Sequence, residues 1–343
     1  MRKTDGQQPV ISLALQGGGA HGAFTWGVLD ALLEAGAYRF DGLSGTSAGA
    51  MNAVALAHGL CLGGPERARE SLAAFWEKVG ESLPEEMMRP LPLGADSAAP
   101  PGLKMALQLS QWLSPYQLNP LDYNPLRRII ESQFDFERLR RASPVQLFVA
   151  ATHANSGQLK LFRNAELSAD ALLASSCLPT LRQAVMIDGE PYWDGGFAAN
   201  PAVFPLFKFC RSADILLVLL APMSHGETPR SAEEIQKRAT LLGFNSAFLR
   251  EMRLFALLQQ MADEPAWWRG GLERRLQATR FHLIEGHDLL SSLDASSRAL
   301  AYGPFLLWLR DEGRATAKQW LAEHGGKVGR AASADIQRLF LPG

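Results

Sequence analysis

The amino-acid sequence predicts a three-layer α/β/α fold with a mainly parallel central sheet and a helical C-terminal extension. Short runs of Val, Ile and Leu alternate with helix-length segments through the first half of the chain. The run at 215–220 is apolar at every position, the pattern of a strand covered on both faces by helices. The chain has 343 residues, enough to bury a core of that kind.

The elements follow in order. Val10–Leu15 reads as a buried strand, and a glycine-rich turn at 17–22 comes directly after it. Residues 23–34 form a helix that stops at Gly36, a residue suited to the left-handed position just past a helix end. Residues 38–44 give a second strand, 48–58 a helix ending at Gly59, and 71–79 a third helix. Prolines at 84, 90, 92, 100, 101, 115, 120 and 125 then exclude regular structure from most of residues 80–125. One apolar helical segment survives there at 103–113, with Met105, Leu109 and Trp112. Insertions of this length are usually functional, so 84–120 is expected to be a lid or access element. The parallel-sheet pattern resumes at 145–152 and Leu159–Arg163, with a helix at 169–176 and the apolar strand at 215–220. A helix over 232–261, a strand at 281–285 and a helical stretch at 296–340 complete the chain.

Composition narrows the function classes. Hydrophobic residues make up 47% and charged residues 20%, which excludes a mostly disordered chain. Lys plus Arg (34) balances Asp plus Glu (35), so no global field draws the protein to nucleic acid or an anionic membrane. The three cysteines, Cys61, Cys177 and Cys210, form no CxxC pair; neither a disulfide framework nor a zinc site is expected, and a reducing compartment is. No apolar stretch precedes Val10, and the longest apolar run, 215–222, is far short of the ~18 residues that cross a bilayer. The expectation is a soluble, cytoplasmic protein with no transmembrane segment.

Gly45-Thr46-Ser47-Ala48-Gly49 lies between a strand-like run and a strong helix former. A serine hydroxyl is a weak nucleophile and must be presented to substrate, base and oxyanion donors together. A tight strand-to-helix turn with small residues two positions to either side does this, which makes Ser47 the candidate nucleophile. Upstream, Gly17-Gly18-Gly19-Ala20-His21-Gly22 follows the first strand. Successive glycines let backbone N–H groups point inward, to cradle a phosphate or a tetrahedral oxyanion. Gly17, Gly19 and Gly22 also match G-x-G-x-x-G with Asp41 downstream, a dinucleotide fingerprint. Yet the second strand runs from Asp41 into a serine-centred turn that nucleotide binding does not need. Seven histidines, at 21, 58, 153, 225, 282, 287 and 324, are available as a base, and none carries its own motif. Asp194 stands in Tyr192-Trp193-Asp194-Gly195-Gly196, where two glycines allow a sharp turn and Trp193 could limit hydration. Asp-Gly-Gly alone is most often only a turn.

Taken in this order, the glycine loop, the Ser47 pentapeptide and Asp194-Gly195-Gly196 resemble the patatin-like phospholipase family of bacterial type. The resemblance runs by motif over residues 10–222. It implies a catalytic dyad of Ser47 and Asp194 that needs no histidine, and an oxyanion hole from Gly17, Gly18 and Gly19. His21, Gly22, Gly45, Gly49, Gly195 and Gly196 support the motifs. The implied reaction is carboxylic ester hydrolysis of phospholipase A or lysophospholipase type through an acyl-enzyme, with no metal or cofactor. The implied partner is a lipid ester at a membrane or lipid-particle surface, with no nucleic acid, and the implied location is cytoplasmic with peripheral membrane contact. An acyltransferase or thioesterase with the same dyad is one alternative, and a nucleotide-binding regulatory module is another. Residues 10–310 would form the hydrolase domain and 311–343 a helical tail. The family often has Arg or Lys where His21 stands, so a loop charge that depends on pH near neutrality is expected. Residues 103–113, and Trp267-Trp268 beside Arg269, are candidates for lipid contact, although core packing or a helix-end cap is the commoner role of such side chains.

Overall fold

The computed structural model describes residues 8–82, 112–223, 228–263 and 270–341, together with 100, 102, 104, 105 and 109. β1 (Val10–Leu15) is central to an eight-stranded sheet because both of its faces are apolar. Ile11, Leu13 and Leu15 join one core cluster and Ala14 joins the other. β1 pairs in parallel with β2 (Arg39–Thr46) on one side and with β7 (Asp214–Leu219) on the other. β2 continues in parallel to β3 (Gln146–His153), and β7 to β8 (Arg280–Glu285). β4 (Leu159–Arg163), β5 (Val185–Ile187) and β6 (Glu190–Asp194) are antiparallel additions. The strand order is β5-β6-β3-β2-β1-β7-β8, with β4 also paired to β3.

Helices cover both faces, which gives the three-layer α/β/α fold. On one face lie α1 (Gly22–Ala35), α2 (Ala48–Gly63), α3 (Pro65–Gly80) and the helix Gly303–His324, contributing Phe24, Val54, Phe75 and Phe305 to the core. On the other lie the helices Phe204–Phe209, Ala232–Asp263 and Ile336–Phe340, contributing Leu206, Phe248, Met252 and Phe340. β7 shows why its sequence is apolar from residue 215 onward: Leu216 and Val218 enter the first cluster, while Ile215, Leu217 and Leu219 enter the second. The helix Gly303–His324 runs unbroken across residue 310 and packs on α1, with Arg314 paired to both Asp30 and Glu34. Arg69 of α3 pairs with the same two carboxylates, so three helices share one ion cluster.

The structure departs from the expected elements at identifiable places. Gly59 does not end α2; a Cβ there would strike the Ala68 backbone, so the glycine is the point at which α2 and α3 touch. α3 begins at Pro65, a residue preorganised for a first helical position. β4 is antiparallel to β3 because the five residues between them are too few for a parallel crossover. Trp267-Trp268 and much of 84–120, including most of 103–113, lie outside the described residues. Among those described, Trp112 and Leu121 are 86% and 90% exposed. No described helix is long and apolar enough to cross a membrane.

One feature of the topology positions the site. The chain leaves the C-terminal end of β1 for β2 on one side, and β7 is later added on the other. In an open α/β sheet, the crevice outside the strand ends at such a switch point is where ligands bind.

Candidate active site

The C-terminal ends of β1 and β2 bring the two glycine-rich motifs together. β2 ends at Thr46 and α2 begins at Ala48, which leaves Ser47 alone in the turn with φ 53° and ψ −121°. Side chains rarely adopt that conformation, so the surroundings must hold it. The Ser47 N–H donates to Ser175 Oγ at 2.9 Å, and Thr46 Oγ1 donates to the Ala199 carbonyl at 2.7 Å. Gly45 and Gly49 are required by contact: a Cβ on the first would strike the Gly49 backbone, and one on the second the Leu15 carbonyl. Residues 42–46 and 48–50 are buried, while Ser47 keeps contact with solvent.

The glycine loop lies directly against this turn. A Cβ on Gly17 would come within 2.9 Å of Ser47 Cβ. Gln16 fixes the start of the loop: its Oε1 accepts from Leu220 N at 2.6 Å and Ala221 N at 2.8 Å, and its Nε2 donates to the Asn200 carbonyl and Asn245 Oδ1, both at 3.2 Å. Gly17 N–H is already donated to Asn200 Oδ1 at 2.7 Å. The N–H groups of Gly18 and Gly19 have no hydrogen-bond partner among the described residues. Gly18 is half-buried and Gly19 exposed, so a ligand can reach both donors.

Sheet register brings Asp194 to Ser47. β3 pairs with β2 through Ala150, opposite Thr46, and its next residue, Ala151, pairs with Asp194 of β6. β4 occupies the other edge of β3 over Phe148–Thr152, so β6 continues on the edge where β2 stops. The last residue of β2 and the last of β6 therefore meet end to end. Asp194 is 2% exposed. Its Oδ1 accepts from Gly196 N at 2.8 Å, its N–H donates to the Cys177 carbonyl at 2.7 Å, and its carbonyl accepts from Thr152 Oγ1 at 2.8 Å. The Phe244 ring packs against Gly196 and lies 4.6 Å from the Phe197 ring, which helps keep water away. Burial pushes the Asp194 pKa up to about 7, although the Gly196 N–H and the Ser47 hydroxyl both pull it down.

His21 corrects an expectation. It is 2% exposed, and its Nε2 lies 2.7 Å from Ser297 Oγ. That hydroxyl gives its own proton to the Asp294 carbonyl at 2.6 Å, so it accepts from His21 Nε2–H. Burial, reinforced by the charge of Arg298, lowers the His21 pKa to about 3. The ring is neutral at every physiological pH and supplies no switchable charge. Other described histidines are committed elsewhere: His58 to Ser71 and Asp135 N, His153 to Ser156 and Glu190, His282 to Asp214 and Ser333. No histidine whose side chain is described hydrogen-bonds Ser47 or Asp194. His225 falls outside the described residues.

Two other arrangements carry no comparable chemistry. Asp41, the acidic residue of the dinucleotide-like pattern, sits near the start of β2 and accepts from Arg211 N and Ser212 N. At ~3.3 Å per residue it is about 16 Å of strand away from the glycine loop, too far to share a nucleotide with it. Asp214, His282 and Ser333 form a hydrogen-bonded string at the opposite end of the sheet. There, burial favours the neutral acid, but Arg280, His282 and Gly329 N hold the Asp214 pKa well below the usual carboxylate range. The N–H groups of Ser333 and Ala334 are both donated to the Phe281 carbonyl, so this string lacks oxyanion donors and acts as a structural tie. Cys177 and Cys210 are buried thiols whose pKa values burial pushes up to about 12, so neither is a nucleophile at neutral pH.

Gln16, Ser175, Thr152 and Asn200 were not singled out from the sequence. Their only local signal is adjacency: Gln16 directly precedes the glycine loop, and Asn200 follows shortly after the Asp194 turn.

Among solved structures, the chain is similar to the crystal structure of VipD from Legionella pneumophila, with 16% identity and a TM-score of 0.41, over 92% of this chain and 67% of that one. No curated protein matches it. The patatin-like phospholipase family model matches residues 13–207, more than half of the chain and all of the segment that carries the glycine loop, Ser47 and Asp194. The chain belongs to the patatin-like phospholipase family.

Proposed function

We propose that the chain is a serine lipid acyl hydrolase of phospholipase A or lysophospholipase type, with Ser47 as nucleophile and Asp194 as base. Lipid acyl hydrolysis in general is the activity its family supports. The observation that carries the finer reading is the end-to-end register of β2 and β6, which sets a buried carboxyl group beside a strained serine.

Ser47 Oγ attacks the ester carbonyl as Asp194 takes its proton. The N–H groups of Gly18 and Gly19 receive the negative charge that develops on the carbonyl oxygen. Gly17, whose N–H Asn200 holds, keeps the loop against the serine. Asp194 then returns the proton to the departing alcohol and leaves an acyl-serine. In the second half Asp194 takes a proton from water, the hydroxide attacks the acyl group, and the fatty acid leaves as the proton returns to Ser47. An ordinary carboxylate, with pKa ~3.9, is a poor base for an alcohol. Desolvation that raises Asp194 to about 7 brings it close to the working pH while leaving it ionised above neutrality. Each oxyanion donor contributes roughly 3–4 kcal/mol of barrier lowering in such sites. The exposed Trp112 and Leu121 supply apolar side chains suited to a lipid surface.

The test is fatty acid release from phosphatidylcholine and lysophosphatidylcholine vesicles by the purified chain. Release is expected from wild type and not from Ser47→Ala. A wild-type protein that frees no fatty acid from any lipid ester, or a Ser47→Ala variant as active as wild type, would overturn the reading.

A further inference from the structure

The segment that follows β8 returns to the glycine loop and lays Arg298 against it. A Cβ on Gly19 would strike the Arg298 carbonyl, and Arg298 Cβ would stand 3.6 Å from it. Ser297, one residue earlier, is the partner of His21. Arg298 is half-buried, and burial lowers its pKa, yet a guanidinium stays charged under all physiological conditions. It makes no hydrogen bond, ion pair or ring contact with any described residue. The carboxylate closest in sequence, Asp294, is already taken by the N–H and hydroxyl of Ser296. His21 beside it is neutral and adds no second positive charge. A desolvated cation with no counter-ion among the described residues is costly to keep, and its planar fork of donors matches phosphate oxygens.

We propose that Arg298 binds the phosphodiester group of the lipid whose acyl ester lies at Gly18 and Gly19. The inference rests on the proposed hydrolase reading. In a glycerophospholipid the ester carbonyl and the phosphate are separated by only a few bonds, so both can be held at once by neighbouring donors. Arg298 is thus a specificity-determining residue: it rewards substrates that carry a phosphate beside the scissile ester and gives nothing to neutral glycerides. A free phosphate ion offers the same chemistry, and the experiment separates the two sources.

The measurement is kcat/KM for lysophosphatidylcholine and for a monoacylglycerol of the same acyl chain, in wild type, Arg298→Gln and Arg298→Lys. In Arg298→Gln the ratio of the two constants should fall about 10- to 100-fold, the scale of losing one charge-assisted hydrogen-bonding partner, with the loss mainly in KM. Arg298→Lys should recover part of the ratio as a point charge. Monoacylglycerol hydrolysis in the same samples reports that the variants are folded. Equal losses on both lipids, or an unchanged ratio, would overturn the assignment. So would inhibition of monoacylglycerol hydrolysis by inorganic phosphate that disappears in Arg298→Gln while the lipid ratio stays unchanged, since that result assigns the arginine to a free anion. A wild-type protein that hydrolyses neither lipid would overturn the hydrolase reading and this inference with it, whereas hydrolysis of both with an unaltered ratio removes the Arg298 assignment alone.

Discussion

Ser47→Ala is expected to lower kcat for lipid ester hydrolysis by roughly 10⁴- to 10⁶-fold, the usual consequence of deleting a nucleophile that acts together with its base and oxyanion donors. The fold should survive. Ser47 is held in a left-handed turn by its backbone N–H bond to Ser175 and by the tight contacts of Gly45 and Gly49, none of which needs its hydroxyl. Alanine keeps the Cβ and therefore keeps whatever strain the turn stores at φ 53°. Thermal stability should thus change little while activity vanishes, which circular dichroism melts beside fatty acid assays can check. A comparable loss of both would mean that the hydroxyl is structural.

Asp194→Asn should combine a large loss of activity with a gain in stability. Asparagine fills the same space and still accepts from Gly196 N, but it cannot take a proton, and loss of a general base typically costs about 10²- to 10⁴-fold. In wild type, kcat/KM should rise with pH up to about 7 and level off above it, because only the ionised carboxyl group serves as a base. The sign of the stability effect follows from the same shift. The folded-state pKa lies above the unfolded value, so between about pH 4 and pH 7 the folded protein binds the extra proton. Stability is therefore lost as pH rises through that window, and the penalty is complete above about 7. Asp194→Asn removes it, so the variant should melt at a higher temperature than wild type at pH 8, and the difference should shrink toward pH 4. Glu251, whose pKa burial also pushes up to about 7, adds a slope of the same sign, but it is present in both proteins and cancels in the difference. Equal melting temperatures at pH 8 would show that Asp194 is not desolvated as described.

The parts of the site that were legible in the sequence are those whose constraint is local. Gly45 and Gly49 are required by contacts across one turn, and the continuous apolar run of β7 reports a strand covered on both faces. What stayed hidden depends on pairs far apart in the chain. Asp194 is named as the partner of Ser47 by the family resemblance, while its own residues read only as a turn; the β3 register that brings the two together links residues 46, 150, 151 and 194. The neutral state of His21 is set by Ser297, 276 residues away, so no reading of the glycine loop alone could supply it. Direction was also underdetermined: the apolar pattern of β4 suits either orientation, and the short loop before it decides for antiparallel. Gly59 shows the same limit, since a glycine after a helical run signals a helix end unless a second helix crosses there.

The central claim is that Ser47 is activated by Asp194. It is tested most directly by reaction with a fluorophosphonate probe at pH 8, followed by peptide mapping of the adduct. Wild type should carry a single adduct on Ser47, Asp194→Asn should label far more slowly, and Ser47→Ala should not label. Labelling of a different residue, or equal rates in wild type and Asp194→Asn, would contradict it.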